Sequence, residues 1–394
     1  MEQVAQAVVL AAGRGERLHP LTTLRPKVML PIANKPILQY VLEALAANGV
    51  QDILIVVGYG KEQVQDTFGS GENFGVHIRY FVQAQQLGTA SALAAVRGHT
   101  QKRFLLLSGD TMIAPETIQP LLEAEGDSIL VTEQGSPDLY GLVVARDGRV
   151  VQILEKPGVQ VSHWVNTGNY LLHDHVFPYL EEEVDLTTSL QHLVEDGRTL
   201  QMCTTDAMWL DANYPWDLLR LNSAALGKIT LSVKGECEEG VVIKGPVQVG
   251  KGSIIRAHSY LVGPVVIGSG TEIGPYVCVF PGSSIGDNVV VAPFTQIRNS
   301  IIDDSVHIGP HSGLTNGIIA EGCTFSSGFH ARGGPLSRPV NGSQIEVQAG
   351  AVIAEYVEAG HDVVLKPGVL IGKGAKISDC KLIADDIPED ALVL

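Results

Sequence analysis

The sequence predicts two domains of different class, an α/β domain with a mixed sheet followed by an all-β parallel β-helix. The chain has 394 residues, more than one domain usually contains. Apolar segments alternate with helical patterns in the first half, and aliphatic residues recur at every sixth position in the second half. The predicted limits are 1–226 for the first domain, 227–241 for a connector and 242–394 for the β-helix.

The first domain alternates short apolar segments with segments of helical periodicity. Strands are predicted at AVVLAAG, DILIVVG, IRYFVQ, RFLLLSGD, SILVTE and GLVVARD, and helices at ILQYVLEALAANG, KEQVQDTFG, ASALAAVRG and TIQPLLEAEG. This alternation is typical of βαβ units and a mostly parallel sheet. Ligands of such sheets bind at the carboxyl ends of the strands, so we expect the site there.

The second half repeats with a period of six residues. Aliphatic residues are spaced six apart from Ile243 to Ile297, the pattern slips by one residue at Ile302, and it resumes from Val347 to Ile383. A helix repeats about every 3.6 residues and a strand about every two, so this period indicates hexapeptide coils with inward-pointing aliphatic side chains. Residues 326–346 lack the repeat and are rich in Gly, Pro and Ser, which predicts a protruding loop.

The composition narrows the possible functions. The formal net charge of −16 argues against general nucleic-acid binding, because such binding requires many cationic side chains on phosphates. No leader pattern precedes the first strand and no apolar segment approaches the ~18 residues of a membrane span, so we expect a soluble, cytoplasmic protein without a membrane partner. Five widely spaced cysteines predict reduced, mostly buried thiols.

A glycine-rich loop follows the first predicted strand directly. It spans residues 13–17 and is followed by Lys27. Backbone N–H groups of such a loop approach phosphate oxygens closely, and Arg17 and Lys27 add positive charge. Leu18 replaces the third glycine of a dinucleotide site, and no Walker lysine–serine pair follows. A phosphate site is therefore predicted, and a tight turn with solvated charges is the alternative.

Several segments, in a fixed order, resemble the sugar-1-phosphate nucleotidylyltransferases. Over residues 7 to about 222, LAAGRGERL and RPKVMLPI are similar to the signature loop and catalytic lysine, VQAQQLGTASAL to the base-recognition segment, LLLSGD to the metal-binding strand end, YGLV, EKP and VNTGNYLL to the sugar-binding parts, and WLDANYPWDLL to the segment with the second metal ligand. The second half is similar to the left-handed β-helix of bifunctional members, above all the archaeal-type nucleotidylyltransferase/acetyltransferases.

The resemblance implies a Rossmann-like first domain and a reaction between two anionic substrates. A sugar 1-phosphate attacks the α-phosphorus of a nucleoside triphosphate (UTP or dTTP), and pyrophosphate leaves. Positioning and charge neutralisation suffice for such a reaction, without a protein nucleophile. The sequence leaves the nucleotide open, and it leaves glucose, galactose, glucosamine and N-acetylglucosamine open as the sugar. The β-helix of the family implies a homotrimer or a multiple of one.

The resemblance also implies roles for individual residues. The catalytic residues are Arg17 and Lys27, and the ligands of a Mg²⁺ ion are Asp110 and Asp211, whose hard carboxylates suit this cation. The nucleotide-binding residues are Leu10, Ala11, Ala12, Gly13, Gly15, Gln83, Gly88 and Thr89. The sugar-binding residues are Gly141, Glu155, Lys156, Asn166 and Thr167.

Simpler interpretations exist for some of these residues. Asp110 alone is equally typical of a helix cap or a turn, and Asp206 and Asp217 lie close to Asp211 in the sequence. Glu155 and Lys156 are also typical of a surface pair. The HxH spacing of His173 and His175 lacks an evident third ligand, which favours a structural role.

Three functions are open for the β-helix. In the first, His311, with His330 as a second candidate, is the general base of an acetyl transfer from acetyl-CoA to an amino-sugar phosphate. In the second the β-helix only trimerises the protein, and in the third it binds a regulatory ligand. The stretch FSSGFHARGGPLSRPV departs from the acetylating relatives, and no lysine lies between Lys251 and Lys366. A non-catalytic regulatory relative is the alternative for the whole chain.

Overall fold

The computed structural model describes residues 4–133, 140–155, 161–181, 184–340 and 343–394. Lys156, a predicted sugar-binding residue, lies outside the described residues. The chain forms two compact units: unit 1 comprises Met1–Arg14, Pro26–Met29 and Pro36–Asp211, and unit 2 comprises Gly15–Arg25, Leu30–Lys35 and Ala212–Leu394. The predicted domains are each one continuous stretch of the chain. In the structure, two short segments from the first 35 residues belong to unit 2.

Short strands and helices alternate through the first 226 residues. The strands are β1 (Gln6–Ala11), β2 (Pro31–Ile32), β3 (Lys35–Pro36), β4 (Asp52–Val57), β5 (His77–Val82), β6 (Arg103–Ser108), β7 (Thr111–Ile113), β8 (Ser128–Glu133), β9 (Leu142–Arg146), β10 (Arg149–Leu154), β11 (Trp164–His173), β12 (Gln201–Thr204) and β13 (Trp209–Asp211). The α-helices are α1 (Ile37–Ala47), α2 (Lys61–Phe68), α3 (Thr89–Ala94), α4 (Gln119–Glu123), α5 (Leu186–Glu195) and α6 (Pro215–Leu226). Short 3₁₀-helices cover Glu16–Leu18, Lys27–Met29, Glu72–Phe74, Pro115–Ile118 and Asp174–Leu180.

Unit 1 is built on a mixed sheet, as predicted. Among the described residues, nine strands form this sheet in the order β5-β4-β1-β6-β11-β8-β12-β10-β9. The strands β5, β4, β1 and β6 are parallel, and β11 is antiparallel to both β6 and β8. All six predicted strands are present. The expectation of a mostly parallel sheet holds only for this first group, because β9 to β12 add largely antiparallel pairings.

The central strands are buried on both faces. Val9 of β1 lies in one hydrophobic cluster together with Leu38 and Leu42 of α1, whereas Val8 lies in the cluster on the opposite face. Because both faces of these strands are buried, their sequences are continuously apolar rather than alternating between apolar and polar residues. None of the described helices is both long and apolar enough to cross a membrane.

Unit 2 contains the parallel β-helix. Its strands are β14 (Ser232–Val233), β15 (Glu236–Cys237), β16 (Val242–Lys244), β17 (Val247–Val249), β18 (Ile254–Ile255), β19 (Tyr260–Val262), β20 (Val265–Ile267), β21 (Glu272–Ile273), β22 (Cys278–Val279), β23 (Ser283–Ile285), β24 (Val290–Val291), β25 (Gln296–Arg298), β26 (Ile301–Ile302), β27 (His307–Ile308), β28 (Gly313–Thr315), β29 (Ile318–Ile319), β30 (Thr324–Phe325), β31 (His330–Ala331), β32 (Gly334–Val340), β33 (Ser343–Ala349), β34 (Val352–Ile353), β35 (Glu358–Ala359), β36 (Val364–Leu365), β37 (Leu370–Ile371), β38 (Lys376–Ile377), β39 (Leu382–Ile383) and β40 (Leu392–Val393).

Three parallel sheets form the walls of this left-handed β-helix. Each strand pairs with a strand one coil later, as Leu261 does with Val279 and Val279 with Ile297. The predicted hexapeptide residues from Val249 to Leu314 lie in one continuous hydrophobic core. The six-residue period therefore correctly predicted a coil with three walls.

The described part of the segment 326–346, predicted as a protruding loop, contains regular structure. The coil continues through β31, and β32 then pairs with β33 as an antiparallel hairpin. Val347 was wrongly assigned to the hexapeptide pattern, because it lies in this hairpin opposite Leu336. The inward positions after Leu314 are instead Ile319, Phe325 and Ala331. The Phe and Ala side chains concealed the repeat from a search for aliphatic residues.

An aromatic ladder runs along one corner of the β-helix. The rings of His258, Tyr276, Phe294 and His311 stack in succession, with centroids 5.1, 5.4 and 5.0 Å apart. All four residues have a positive φ between 58° and 62°. This left-handed backbone is unfavourable for bulky residues. Stacking between successive coils offsets part of that cost.

The five cysteines are all unbridged thiols, as predicted, but the expectation that most are buried was wrong. Only Cys323 is buried, whereas Cys237 and Cys380 are exposed. Burial raises the pKa of the Cys323 thiol to about 12. This thiol is therefore protonated at neutral pH and behaves as a small apolar core residue.

Candidate active site

The centre of the unit 1 site is the ammonium group of Lys27. Its Nζ donates a 2.6 Å hydrogen bond to Oδ2 of Asp110 and a 3.1 Å hydrogen bond to Oδ1 of Asp211. The Lys27 side chain is 11% exposed, and those of Asp110 and Asp211 are 33% and 17% exposed. Three residues predicted to act together therefore meet in the structure.

Strand pairing brings the two carboxylates together. Asp110 follows the carboxyl end of β6 and directly precedes β7. The strand β7 pairs antiparallel with β13, so that Thr111 lies opposite Asp211. Trp209, at the start of β13, donates its indole N–H to the carbonyl of Thr167 in β11 at 3.0 Å. The site thus lies at the carboxyl edge of the parallel strands, where the fold class predicts it.

Mutual attraction keeps Lys27 and Asp110 charged. Burial disfavours the charged lysine, but the carboxylates of Asp110 and Asp211 outweigh this effect and raise the pKa of Lys27 above its ordinary value. Burial also opposes ionisation of Asp110, yet Lys27 and a hydrogen bond from Ser108 hold the pKa of Asp110 below its ordinary value. The Ser108 hydroxyl donates to Oδ1 of Asp110 at 2.7 Å.

The donor set fits a Mg²⁺ ion that retains water ligands. Asp110 and Asp211 present hard carboxylate oxygens to one shared position, and two carboxylates face a single ammonium group there. Among the described residues, no group of three or more His, Cys, Asp and Glu side chains is arranged to hold a metal. Mg²⁺ commonly binds through one or two carboxylates together with water and substrate phosphates, so the pair suffices.

The glycine loop begins at the end of β1. The Ala12 carbonyl accepts a 2.8 Å hydrogen bond from Nε2 of Gln86 and a 3.3 Å bond from the backbone N–H of Tyr59. Leu10 and Ala11 belong to β1 itself, and the Leu10 carbonyl accepts a hydrogen bond from Gly109. Gly13 is exposed, and a Cβ built on it would meet nothing within 4 Å. The backbone at Gly13 is therefore accessible to a large anion.

Gly15 and Arg17 belong to unit 2, unlike the preceding residues of the loop. The Gly15 carbonyl accepts a 3.0 Å hydrogen bond from the Thr22 hydroxyl. Arg17 is exposed and lines a cavity of unit 2. Its predicted contact with the outer phosphates of the nucleotide stays a prediction.

The predicted base-recognition residues lie together after β5. Gln83 is buried and donates its Nε2 to the Gly88 carbonyl at 3.0 Å. Gly88 has a φ of 119°, and a Cβ on it would lie 2.3 Å from the carbonyl oxygen of Val184. The Thr89 hydroxyl accepts a 2.9 Å hydrogen bond from the backbone of Leu186. Glycine is therefore required at this position for the turn that holds Gln83.

Three of the predicted sugar-binding residues form one cluster. The Gly141 carbonyl accepts a 2.9 Å hydrogen bond from the backbone of Asn166. A Cβ on Gly141 would lie 3.1 Å from Oε2 of Glu155 and 3.7 Å from Cβ of Asn166. The Asn166 amide donates to the Tyr170 hydroxyl at 2.8 Å. The Thr167 side chain is buried and donates its hydroxyl to the Leu130 carbonyl, so this hydroxyl is used within the sheet.

Two polar residues of the site were missed from the sequence. Ser108 ends β6 and orients Asp110 in the turn that follows, and its sequence signal is a hydroxyl two residues before the predicted ligand. Asn169 is fully buried, its Oδ1 accepts from the Ser108 backbone at 3.3 Å, and its Nδ2 has no hydrogen-bond partner among the described residues. A buried amide beside β6 has no local sequence signal, because the pairing of β6 with β11 creates it.

His173 and His175 occupy structural positions, whereas the two histidines predicted for the β-helix lie on its coils. Nδ1 of His173 and Nε2 of His175 lie 2.9 and 2.6 Å from the two carboxylate oxygens of Asp127, which is buried. This arrangement agrees with the structural interpretation of the HxH spacing. His311 is exposed at the end of the aromatic ladder. His330 lies in β31 beside Gly313 of the preceding coil.

Comparison with protein families agrees with both halves of the chain. The family described as nucleotidyl transferase matches residues 6–227. The family described as GMPPB C-terminal domain matches residues 261–358. The first match spans more than half of the chain and contains every residue of the Lys27 site.

Curated relatives are similar over the full length. "Bifunctional protein GlmU" of Methanococcus maripaludis strain C5 is 33% identical, over 98% of this chain and 96% of the relative. The protein of the same name from Methanocaldococcus jannaschii is 31% identical, over 98% and 97%. A glucose-1-phosphate thymidylyltransferase of Streptomyces antibioticus is 30% identical, over 87% of this chain and all of the relative.

A solved structure is similar to more than half of the chain. It is a Bacillus anthracis protein described as a glucose-1-phosphate thymidylyltransferase and crystallised with sucrose. It is 28% identical with a TM-score of 0.53, and the match covers 58% of this chain and 98% of the solved one. This agreement supports the α/β fold of the region that carries the Lys27 site.

Proposed function

Because the chain belongs to the nucleotidyl transferase family, we propose that it transfers a nucleotidyl group to a sugar 1-phosphate. A phosphate oxygen of the sugar 1-phosphate attacks the α-phosphorus of a nucleoside triphosphate. The bond from the α-phosphorus to the bridging oxygen of the β-phosphate breaks, and pyrophosphate leaves with that oxygen. The observation that carries this proposal is the contact of Lys27 with both Asp110 and Asp211.

Lys27 neutralises charge where the two anionic substrates meet. Two of its three N–H donors are used by the carboxylates, which leaves one donor for a phosphate oxygen. The carboxylates also fix the position of the ammonium group before substrate binds. A preorganised charge of this kind acts on the transition state without reorganisation. No protein nucleophile takes part.

Asp110 and Asp211 are the proposed ligands of Mg²⁺, and Ser108 holds Asp110 in its orientation. When bound, the ion supplies positive charge to the phosphate oxygens. The exposed backbone at Gly13 binds the triphosphate, and Arg17 is assigned to its outer phosphates. Gln83 and Gly88 contact the base, and Glu155 and Asn166 contact the sugar hydroxyl groups.

The proposed substrates are UTP or dTTP and a hexose 1-phosphate. This assignment is supported by the relatives, among which a thymidylyltransferase acts on glucose 1-phosphate. A trimer is the proposed assembly, and its support is the likeness of the β-helix to that of bifunctional relatives. Sedimentation velocity of the purified protein tests this assembly.

The deciding experiment measures pyrophosphate release with and without Mg²⁺. UTP, dTTP, GTP, CTP and ATP are each combined with the 1-phosphates of glucose, galactose, glucosamine and N-acetylglucosamine. We expect Mg²⁺-dependent turnover with UTP or dTTP and at least one sugar. Folded protein without turnover in any combination would contradict the proposal and favour a non-catalytic relative.

Acetyl transfer by the β-helix is a second candidate function. It is supported by the full-length match to relatives named bifunctional and by the exposed side chain of His311. In this reaction His311 accepts a proton from the amino group of an amino-sugar phosphate, the nitrogen attacks the thioester carbonyl of acetyl-CoA, and the coenzyme A thiolate leaves.

Thiol release from acetyl-CoA with glucosamine 1-phosphate tests this candidate. His258 provides the matched control, because it is the histidine at the other end of the aromatic ladder. We expect His311→Ala to abolish thiol release and His258→Ala to retain it. Equal rates in wild type and His311→Ala would remove the assignment of His311.

A further inference from the structure

Unit 2 contains a cavity of about 230 Å³ whose lining combines aromatic and cationic side chains. Every residue that lines it belongs to unit 2. Tyr214 and Trp216, at the start of α6, form one wall, and their rings are stacked with centroids 4.9 Å apart and planes within 8°. Arg17 and Arg338 lie on the same cavity.

The two arginines differ in how they are held. Nη2 of Arg338 donates to the Gly368 carbonyl at 2.9 Å, which fixes this guanidinium on the wall. The guanidinium of Arg17 forms no hydrogen bond or ion pair with the residues that the structure describes. A fixed and an unpaired guanidinium on one cavity favour a phosphorylated ligand, because planar N–H donors match phosphate oxygens.

The remaining lining favours a ring system with a polar edge. Leu336 of the hairpin and Leu370 of the coil supply apolar surface. Asp386 also lines the cavity, and its Oδ1 accepts a 2.8 Å hydrogen bond from the Leu370 backbone. The remaining carboxylate oxygen suits an N–H or O–H donor of a ligand. The carboxylate of Asp386 repels anions, so it disfavours a ligand without a neutral part, such as inorganic phosphate alone.

We propose that this cavity binds a nucleoside phosphate, with the base on Trp216 and the phosphate between Arg17 and Arg338. Aromatic faces stack on nucleobases irrespective of base identity, and arginine binds phosphate. The cavity shares Arg17 with the proposed active site but does not use Lys27, Asp110 or Asp211, which belong to unit 1. Its ligand is expected to regulate the enzyme, because it occupies Arg17. This regulatory effect rests on the proposed function, whereas binding itself does not.

Calorimetric titration without Mg²⁺ tests the site, with UDP and ADP as probes. We expect nucleotide binding to persist in Lys27→Met protein. Adding Trp216→Ala or Arg338→Met to that variant is expected to weaken the binding at least tenfold, and Trp216→Phe to preserve most of it. Arg332→Met is the matched control, because Arg332 is exposed and does not line the cavity. Circular dichroism checks that each variant is folded.

Two results would overturn the proposal. One is nucleotide binding that Lys27→Met abolishes and Arg338→Met leaves unchanged, because the Lys27 site would then account for it. The other is equally tight binding of inorganic phosphate and UDP, because the aromatic wall would then contribute nothing. A second readout of binding is the quenching of Trp216 fluorescence by the added nucleotide. The signal of Trp216 is obtained by subtracting the fluorescence of Trp216→Phe from that of the wild type. Pyrophosphate release, measured separately on Trp216→Ala, distinguishes a failure of this site from a failure of the proposed function.

Discussion

Lys27 and Asp110 are joined by a 2.6 Å hydrogen bond although 83 positions separate them in the chain. The same ammonium contacts Asp211, 184 positions away. A charge held by two carboxylates in a partly buried site is fixed in place before any substrate arrives. The site is therefore preorganised for charge neutralisation, and its individual parts can be tested separately.

Replacing Lys27 by Met is expected to lower the rate of pyrophosphate release by roughly 10²–10³-fold, as loss of one preorganised donor does in other enzymes. The variant also leaves Asp110 and Asp211 without their shared partner. Lys61→Met is the control, because the half-buried Lys61 lies outside the site and its Nζ is 3.9 Å from the carboxylate of its neighbour Glu62. A Lys27→Met rate within threefold of wild type would contradict the assignment.

Three neighbouring aspartates should differ in effect when each is changed to Asn. Asp211→Asn is expected to lower turnover and raise the Mg²⁺ concentration needed. Asp217 accepts hydrogen bonds from Asn213 and Tyr214 at the start of α6. Asp217→Asn should therefore cost about 1 kcal/mol of stability and leave the Mg²⁺ dependence unchanged. The exposed Asp206 serves as control, and a changed Mg²⁺ dependence in Asp206→Asn would show that the second ligand was misassigned.

Gly88→Ala is expected to weaken nucleotide binding and to destabilise unit 1. The added Cβ would lie 2.3 Å from the Val184 carbonyl, at a φ of 119°. Gly98 is the matched control, because its φ is 80° and a Cβ there would meet nothing within 4 Å. Gly98→Ala should cost only the ~1 kcal/mol of left-handed backbone. Chemical denaturation and the KM for the nucleotide distinguish the two variants, and equal behaviour would contradict the role of Gly88.

A buried acidic cluster in unit 2 is expected to make stability depend on pH. Arg25 donates to Asp303 at 2.6 Å and to Glu321 at 3.1 Å, whereas Oε2 of the buried Glu355 has no hydrogen-bond partner among the described residues. Burial raises the pKa of Glu355 above 4.5, and it also raises the pKa of Asp303 above 3.8 against the opposing effect of Arg25. The folded protein thus retains protons that the unfolded chain releases.

The contribution of Asp303 and Glu355 to the free energy of unfolding should therefore decrease as the pH rises. The decrease begins near the pKa values of these groups in the unfolded chain and is complete above their raised pKa values in the folded protein. Glu355→Gln removes one of the two buried acids, so it should stabilise the protein by about 1–3 kcal/mol at pH 8 and by less at pH 5. Urea denaturation at both pH values measures the difference. Glu358→Gln is the control, because Glu358 is exposed in an ion pair with Lys376. Destabilisation by Glu355→Gln at pH 8 would contradict this account.

Periodicity alone predicted most of the architecture. The parallel strands of unit 1 are buried on both faces and the coils of unit 2 place one aliphatic side chain inward per strand, so both leave a local pattern. The strands β10 and β12 are absent from the prediction because their residues are largely half-buried or exposed. The strand β11 is also absent from it, although most of its residues are buried. The hairpin β32–β33 was missed because Gly and Pro at its start resemble a loop.

The candidate site depended on resemblance far more than the fold did. Nothing local to Asp211 distinguishes it from Asp206, because the pairing of β13 with β7 determines which aspartate reaches Lys27. The aromatic wall of the unit 2 cavity also has no signal in the sequence. Tyr214 and Trp216 lie in the segment whose resemblance points only to Asp211, and Arg338 belongs to a hairpin that the sequence pattern does not predict.

In this β-helix, the residues that determine stability and the arginine proposed to contact a ligand lie in different segments. The coils provide the hydrophobic core, and the hairpin provides Arg338. Ile318 pairs with Val352 across the coil that contains the insertion, so the ladder of the β-helix closes around the hairpin without a break. The hydrophobic core within the coils contains no described residue of the hairpin, since its members pass directly from Ala331 to Ala351. A change in this insertion, including Arg338, therefore leaves the core of the coils intact.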